Sequence, residues 1–451
     1  MAEDTTAGDL GVRAFLVRVA PIALAGLAIR VVYVLVFRMH TKLSGDEVFY
    51  SYQANALADG KGFNSPFTGK PAADHPPLTA IVLTPASWIW HHSVLAQRLT
   101  MALVGTILVV VIGLLAREIA GNRAGLIAAA LAAVYPGFVV ADGVGMSEPI
   151  AAVFVAATLL FLYRLLRRDD GRPLVDAALA GVALGLAVLT RAELALLLVL
   201  AVVPVVWMCR GTVKRRLVLG SAAVVALLVV LAPWVAFNLA RFEKPVYVSS
   251  NDGLTLVGAN CPATYSGPTL GAWDLACANP QPDVADQSVA DGIYRRRAYH
   301  YVRTHFDRLP VVVAARFGRA WSLFRPFQTA RFAQEEGRPL RASELGVLAF
   351  YPLVAVAVVG AWVLHRRRVT LVPLLATVVA VTIVAVGFYG SIRDREPAEV
   401  AFVVLAAVAI DALLSRARER DVAPPHERRD HGERTGAGEA AQAEAGTSTV
   451  S

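Results

Sequence analysis

AFLVRVAPIALAGLAIRVVYVLVF, residues 14–37, and the following Ser44-Gly45-Asp46-Glu47-Val48-Phe49-Tyr50 decide how this chain is read. As a helix rising about 1.5 Å per residue, the first stretch is long enough for a hydrocarbon core of about 30 Å. The second sets two adjacent carboxylates at the edge of that core. Ionised groups at this height are costly unless they face water or line a wet cavity, so the pair marks a candidate site. No small-residue cleavage pattern follows the apolar run, which therefore reads as a retained span and not a signal peptide.

Outward from this segment, apolar runs recur at about 99–116, 124–141, 149–166, 174–190, 194–209, 217–240, 343–364, 369–389 and 398–414. Of the 451 residues 56% are hydrophobic and only 17% charged, against roughly 25% charged in soluble domains. The mean hydropathy is +0.54. The expected class is an all-α polytopic membrane protein of about ten transmembrane helices. The net charge of +8 does not point to nucleic acid, because the arginines and lysines sit in short clusters between apolar runs. The run 78–90 is too short to span, contains Pro85, and ends in Trp88, Trp90, His91 and His92, so it reads as a surface-lying or re-entrant segment.

The basic residues of short loops orient the chain. With the N-terminus inside, Arg117 and Arg123, then Arg164, Arg167, Arg168 and Arg172, then Arg210, Lys214, Arg215 and Arg216, and finally Arg366, Arg367 and Arg368 all lie in cytoplasmic loops. Counting 78–90 as a span would place every later cluster outside. The organisation expected is a cytoplasmic N-terminus (1–13), a membrane domain (14–241) whose first external loop is 38–98, an extracytoplasmic loop domain (242–342), closing membrane helices (343–415) and a disordered cytoplasmic tail (416–451).

Within the external section, 291–308 reads as a helix with a mixed polar surface. Residues 309–327 interleave Phe317, Trp321 and Phe324 with Arg316, Arg319 and Arg325. Such a segment is either an amphipathic helix at headgroup level or a helix packed on the external domain's own core. Cys261 and Cys277 share this section, where a disulfide and two free thiols are both open readings; Cys209, inside an apolar run, reads as a small core residue.

The outer ends of the spans collect Asp46 and Glu47, Asp74 and His75, Asp142, Ser147 and Glu148, Arg191 and Glu193, Asn238 and Arg241, and Arg393, Asp394 and Arg395. Arg191 has almost no loop to hold it in water, and Arg393 and Arg395 run against the charge bias of topology, so an anionic partner is expected. Arginine's planar fork suits phosphate through paired, charge-assisted hydrogen bonds. Carboxylates and arginines on one face imply a site handling a lipid phosphate together with a polar molecule.

These residues carry a family resemblance. The chain, from 14 to about 415, resembles the polytopic glycosyltransferases of the GT-C fold, especially the protein O-mannosyltransferase and lipid A aminoarabinose transferase branch. Gly45-Asp46-Glu47-Val48-Phe49-Tyr50 looks like the first-loop Asp-Glu-x-x-Tyr motif, and Asp74-His75-Pro76-Pro77-Leu78 like the Lys-or-His-Pro-Pro-Leu motif. Ser147-Glu148-Pro149 and Leu189-Thr190-Arg191 match shorter signals, and Pro233-Trp234 through Asn238, then Pro245 to Asn260, resembles the entry to the external domain. Arg393-Asp394-Arg395-Glu396-Pro397 resembles an Arg-Tyr-Arg-x-Pro signal with Asp394 in place of the aromatic.

The resemblance implies transfer of a sugar from a polyprenyl-phosphate carrier to a protein, lipid or cell-wall glycan acceptor on the extracytoplasmic side of the plasma membrane. The residues themselves fit that chemistry. Asp46, with Glu47 beside it, supplies a base for the acceptor hydroxyl, and His75, Arg191, Arg393 and Arg395 supply positive charge for the departing phosphate. Tyr50, Asp142 and Glu148 are secondary candidates. Direct displacement predicts inversion at the anomeric carbon, and a monophosphate leaving group held by arginines calls for no metal or other cofactor. A lipid-linked-sugar transporter or flippase, or a non-catalytic assembly subunit, is the alternative function.

Overall fold

The computed structural model describes residues 11–167 and 172–422, with side chains described to Ala417. Arg168 of the second basic cluster, residues 1–10 of the N-terminal segment and residues 423–451 of the tail lie outside the described residues. Among the described residues the secondary structure is helical, apart from one isolated bridge between Asn64 and Pro71.

Six helices are long and apolar enough to cross a membrane: α1 (Val12–Arg38), α4 (Val94–Ala120), α7 (Glu148–Arg167), α10 (Val213–Leu239), α16 (Leu340–Arg366) and α18 (Glu396–Val422, apolar over Glu396–Ala417). The protein is thus a multi-pass membrane protein. Four further apolar runs form shorter helices, α5 (Asn122–Val134), α8 (Pro173–Val188), α9 (Ala192–Met208) and α17 (Val372–Gly387). A ten-span arrangement requires all four of them. The run expected at 124–141 is interrupted, because Pro136 lacks a backbone donor and pushes the preceding residue out of the helical region. Tyr135 accordingly sits at φ −63°, ψ 118°, and the chain restarts as α6 (Pro136–Ala141). The run 78–90 forms α3 (Leu78–Ile89), with Trp88, Ile89 and Trp90 exposed at its end.

Helices α1, α4 to α10, α16, α17 and α18 share one apolar core rich in alanine and valine. Small residues let the backbones close in, since lipid chains offer helices no hydrophobic drive to associate. A Cβ on Gly181 would lie 2.0 Å from the Ala223 carbonyl, and one on Gly360 would lie 1.8 Å from that of Leu405. At the end of the bundle away from Glu148, Arg123 pairs with Asp411 and Arg164 lies 4.0 Å from Glu118, so these basic residues do gather at one end.

The polar section opens with α11 (Asp252–Ala259) and α12 (Pro262–Tyr265), and Cys261 and Cys277 are joined as a disulfide. The helix read at 291–308 is α13 (Gln287–Thr304). The segment 309–327 is not one helix: α14 (Leu309–Ala320) stops, Arg325 turns left-handed at φ 47°, and α15 (Pro326–Phe332) begins at a proline suited to a first turn. Arg316 and Arg319 of α14 face inward. Arg316 donates to the Ala259 and Val386 carbonyls at 2.6 and 3.2 Å, and Arg319 to those of Leu270 and Pro268 at 2.6 and 2.9 Å. The polar side of α14 therefore packs on protein, while Val311, Phe317 and Leu323 remain exposed. Helix α18 runs on to Val422, through a stretch of arginine, alanine and glutamate with good helix propensity.

Candidate active site

Gly45 sets the entry to the site. Its φ of +57° is open to glycine, and a Cβ there would approach Glu336 Cα to 2.9 Å, so the first loop can pass directly beneath residues 335–338. Helix α2 (Asp46–Ala58) starts at once, within the first external loop. Both carboxylates occupy a first helical turn, where the helix dipole favours negative charge. Consecutive helical residues point about 100° apart, so the two acids part company.

Glu47 turns inward and is 1% exposed. Arg98 grips it twice, at 2.8 Å to each oxygen; Arg38 approaches at 3.4 Å, and the Gly145 N–H donates at 3.0 Å. Arg98 in turn donates to carbonyls of Arg38 and Thr41. This carboxylate ties α2 to α4 and to the 143–145 turn, and it has no side free for a substrate hydroxyl.

Asp46 keeps a third of its side chain exposed and meets Arg393 at 2.9 Å and His75 at 3.8 Å. His75 lies against Phe49 and Tyr50, each ring centroid 4.9 Å away. The Leu78 N–H donates to the Leu189 carbonyl at 3.0 Å, which fastens the 74–78 motif to the Thr190-Arg191 turn. Arg191 there binds Glu148 at 2.8 Å, Glu193 at 2.6 Å and Asp394 at 2.7 Å. Arg393 reaches Glu336 and Glu148 at 3.3 Å each and Asp394 at 3.7 Å. Its Nε contact with Glu148 lacks hydrogen-bond alignment, and one buried oxygen each of Glu148 and Glu336 has no hydrogen-bond partner.

Burial raises the Asp46 carboxyl, but the charges of Arg393 and His75 and a hydrogen bond from Arg393 outweigh it and hold the group at about 2. At Glu336 burial wins over Arg393 and Arg338, and the carboxyl is pushed up to about 7. One wall of the site is thus firmly anionic near neutrality, and the other titrates there.

The structure brings together Asp46, His75, Glu148, Arg191 and Arg393, with Tyr50 supporting His75. It does not bring in Arg395. That guanidinium holds Glu399 at 2.6 Å and the Ser322 hydroxyl at 2.5 Å, and it lies 3.8 Å above the Phe350 ring. Asp142 also stays out: it is fully buried against Arg30 at 2.6 Å. Glu336 was not legible from sequence as a site residue, because it arrives from a turn some 290 positions after Asp46. Asp394, read as one of the outer-face residues and as a departure from the motif, proves to be a direct partner of Arg191. Among the described residues no group of three or more His, Cys, Asp or Glu side chains is arranged to hold a metal ion.

Residues 74–237 match the family model described as dolichyl-phosphate-mannose-protein mannosyltransferase. No curated protein matches the chain by sequence. Among solved structures, the oligosaccharyltransferase of Archaeoglobus fulgidus tethered to an acceptor peptide superposes with a TM-score of 0.56 at 17% identity, over 90% of this chain and 50% of that one. The same archaeal enzyme with an inhibitory peptide and a dolichol-phosphate gives 0.54 at 15%, over 91% and 52%. ArnT from Cupriavidus metallidurans bound to undecaprenyl phosphate gives only 0.43 at 16%, over 89% and 79%. The chain spans about half the length of the archaeal structures, and identities this low speak for fold alone. It is a multi-pass membrane protein of the GT-C fold, in which residues 74–237 are similar to that mannosyltransferase family model.

Proposed function

We propose that the protein is an inverting glycosyltransferase that moves a sugar from a polyprenyl-phosphate donor to an acceptor hydroxyl at the extracytoplasmic face of the plasma membrane. One observation carries this reading: Asp46, partly exposed and ionised, shares a wall with Arg393 and Arg191 where the membrane helices end. Asp46 takes the proton of the acceptor hydroxyl as its oxygen bonds to the anomeric carbon from the face opposite the phosphate. The bond from that carbon to the phosphate oxygen breaks, and its electron pair leaves on the lipid phosphate. Arg393 and Arg191, with His75 assisting, stabilise that charge. Polyprenyl phosphates are the ligand class named for the archaeal structure and for the matching family model, which supports the donor class chosen here.

A carboxylate held at about 2 is a feeble base, and the resting geometry explains why: Arg393 is bound to it. A donor phosphate competes for the same guanidinium. As Arg393 turns to the phosphate, Asp46 loses its chief counter-charge and its proton affinity rises toward the useful range. The base is thereby armed only when the donor is present.

Purified protein supplied with synthetic polyprenyl-phosphate sugars should release polyprenyl phosphate and form a glycosylated acceptor. Asp46→Asn should lower turnover by about 100- to 10,000-fold while still binding donor. Near-normal turnover by that variant would show that another group is the base. Donor movement across vesicles without bond cleavage would identify a transporter.

A further inference from the structure

Beside the Arg393 cluster, a second polar space opens between α6 and the starts of α16 and α18. It is a small cavity lined by Arg338, Ser343 and Glu396. Glu396 is 2% exposed, yet neither of its oxygens has a hydrogen-bond partner. Arg338, 6% exposed, leaves Nε and one terminal nitrogen unpartnered, and the buried Ser343 hydroxyl is unpartnered too. Buried polar groups are ordinarily hydrogen-bonded, so several exceptions around one small space require an explanation. Failed packing does not supply it. The neighbouring Arg395 and Glu399, on the same cavity wall, pair at 2.6 Å.

The chemistry of the lining restricts the occupant. Glu396 offers only acceptors when ionised, Arg338 only donors, and Ser343 both. A phosphate would satisfy Arg338 but meet Glu396 and Glu399. An ammonium group would satisfy Glu396 but meet Arg338 and Arg395. A hydroxyl donates to a carboxylate while accepting from a guanidinium, and two neighbouring hydroxyls can bridge the walls. The small size of the space suits an edge of a ring, not a whole ring.

The position is equally informative. Arg393 and Glu336 meet at 3.3 Å in the proposed reaction centre. Glu396 lies three residues beyond the first of these and Arg338 two beyond the second, and the charge of Arg338 acts on both Glu336 and Glu148, so the cavity adjoins that contact. Resting on the donor reading above, we infer that this cavity receives the hydroxyl edge of the donor sugar, with Arg338, Ser343 and Glu396 selecting which sugar is transferred. The lipid phosphate sits on Arg393 and Arg191, and the sugar extends from it toward Glu396.

The test compares binding and turnover of three lipids: bare polyprenyl phosphate, its hexose conjugates, and the same conjugates lacking single hydroxyls. For the unmodified protein, removal of one particular hydroxyl should weaken the donor about ten- to hundredfold, while removal of others has little effect. Glu396→Gln and Ser343→Ala should weaken the complete donor, leave bare polyprenyl phosphate within about twofold, and lose no further affinity for the sensitive deoxy donor. Equal binding of every deoxy donor by the unmodified protein overturns the inference, whatever the variants do, and so does equal loss of bare and sugar-linked lipid in both variants. Failure of the unmodified protein to bind either lipid overturns the functional reading itself.

Discussion

Replacing Glu47 by Gln separates the two acids of the first loop. Glu47 is 1% exposed and receives both prongs of Arg98 at 2.8 Å, the Gly145 N–H at 3.0 Å and Arg38 at 3.4 Å. Glutamine keeps the volume and one acceptor oxygen but removes the charge, so two guanidinium groups are left facing each other in a site almost without water. Breaking a buried ion pair by removing one partner costs about 3–5 kcal/mol. The retained acceptor and the unchanged Gly145 contact place this case near 3 kcal/mol. Against a typical total of about 5–15 kcal/mol, that is a large fraction. The expected outcome is a protein with a clearly lowered unfolding midpoint in detergent. At a temperature where it remains folded, its transfer per folded molecule should stay close to normal. Arg98→Met in the same chain should restore part of the lost stability, since it removes the charge stranded by the first change. A Glu47→Gln variant as stable as the parent and devoid of transfer would refute the argument, and Glu47 would then be the reacting carboxylate.

Arg393→Lys and Arg191→Lys keep the charge but lose the fork, and each should weaken polyprenyl-phosphate binding about tenfold or more in a direct binding assay. Because Glu336 sits at about 7 in the folded protein against an ordinary 4.5, its contribution to stability is complete below about 4.5 and disappears as pH rises through about 7. Glu336→Gln should remove that slope from a plot of unfolding midpoint against pH. Asp46 behaves oppositely: its stabilisation is present above about 3.8 and is lost as pH falls through about 2. A topology reporter fused after Trp90 should give an extracytoplasmic signal, and a cytoplasmic one would dismantle the ten-span orientation.

The all-α membrane-protein class was readable because apolar run length is a property of sequence alone. Of the ten runs read as spans, six form helices long and apolar enough to cross a membrane and four form shorter helices, one of them stopped at Tyr135 by Pro136. The fate of individual polar side chains was less accessible. Asp46 and Glu47 are neighbours in the chain, yet one faces the site and the other the core, a distinction that depends on where α2 begins. Arg393 and Arg395 show the same effect two residues apart, with Arg395 drawn off by Glu399 and Ser322. The partners of Glu47 had no signal pointing to them. Arg98 lies at the start of a span like many unremarkable helix-end arginines, and only the fold shows that it is 1% exposed.

The cluster also explains how a protein can hold arginines at this end of the bundle without a ligand. Five carboxylates, Asp46, Glu148, Glu193, Glu336 and Asp394, surround Arg191 and Arg393, so both guanidinium groups are neutralised at rest. A phosphate added to such a cluster must displace carboxylates or find one of them protonated. Glu336 is the group equipped for this, because it can carry a proton near neutrality and lies 3.3 Å from the same Arg393 that holds Asp46. Protonating Glu336 frees one arm of Arg393 for phosphate and lowers the negative charge the phosphate must approach. Donor binding should therefore be accompanied by proton uptake, and donor affinity should fall as pH rises through about 7. Calorimetry in buffers of different ionisation enthalpy reads that proton directly. A binding enthalpy independent of buffer, in protein that still releases polyprenyl phosphate, would mean that the donor reaches its arginines without help from Glu336.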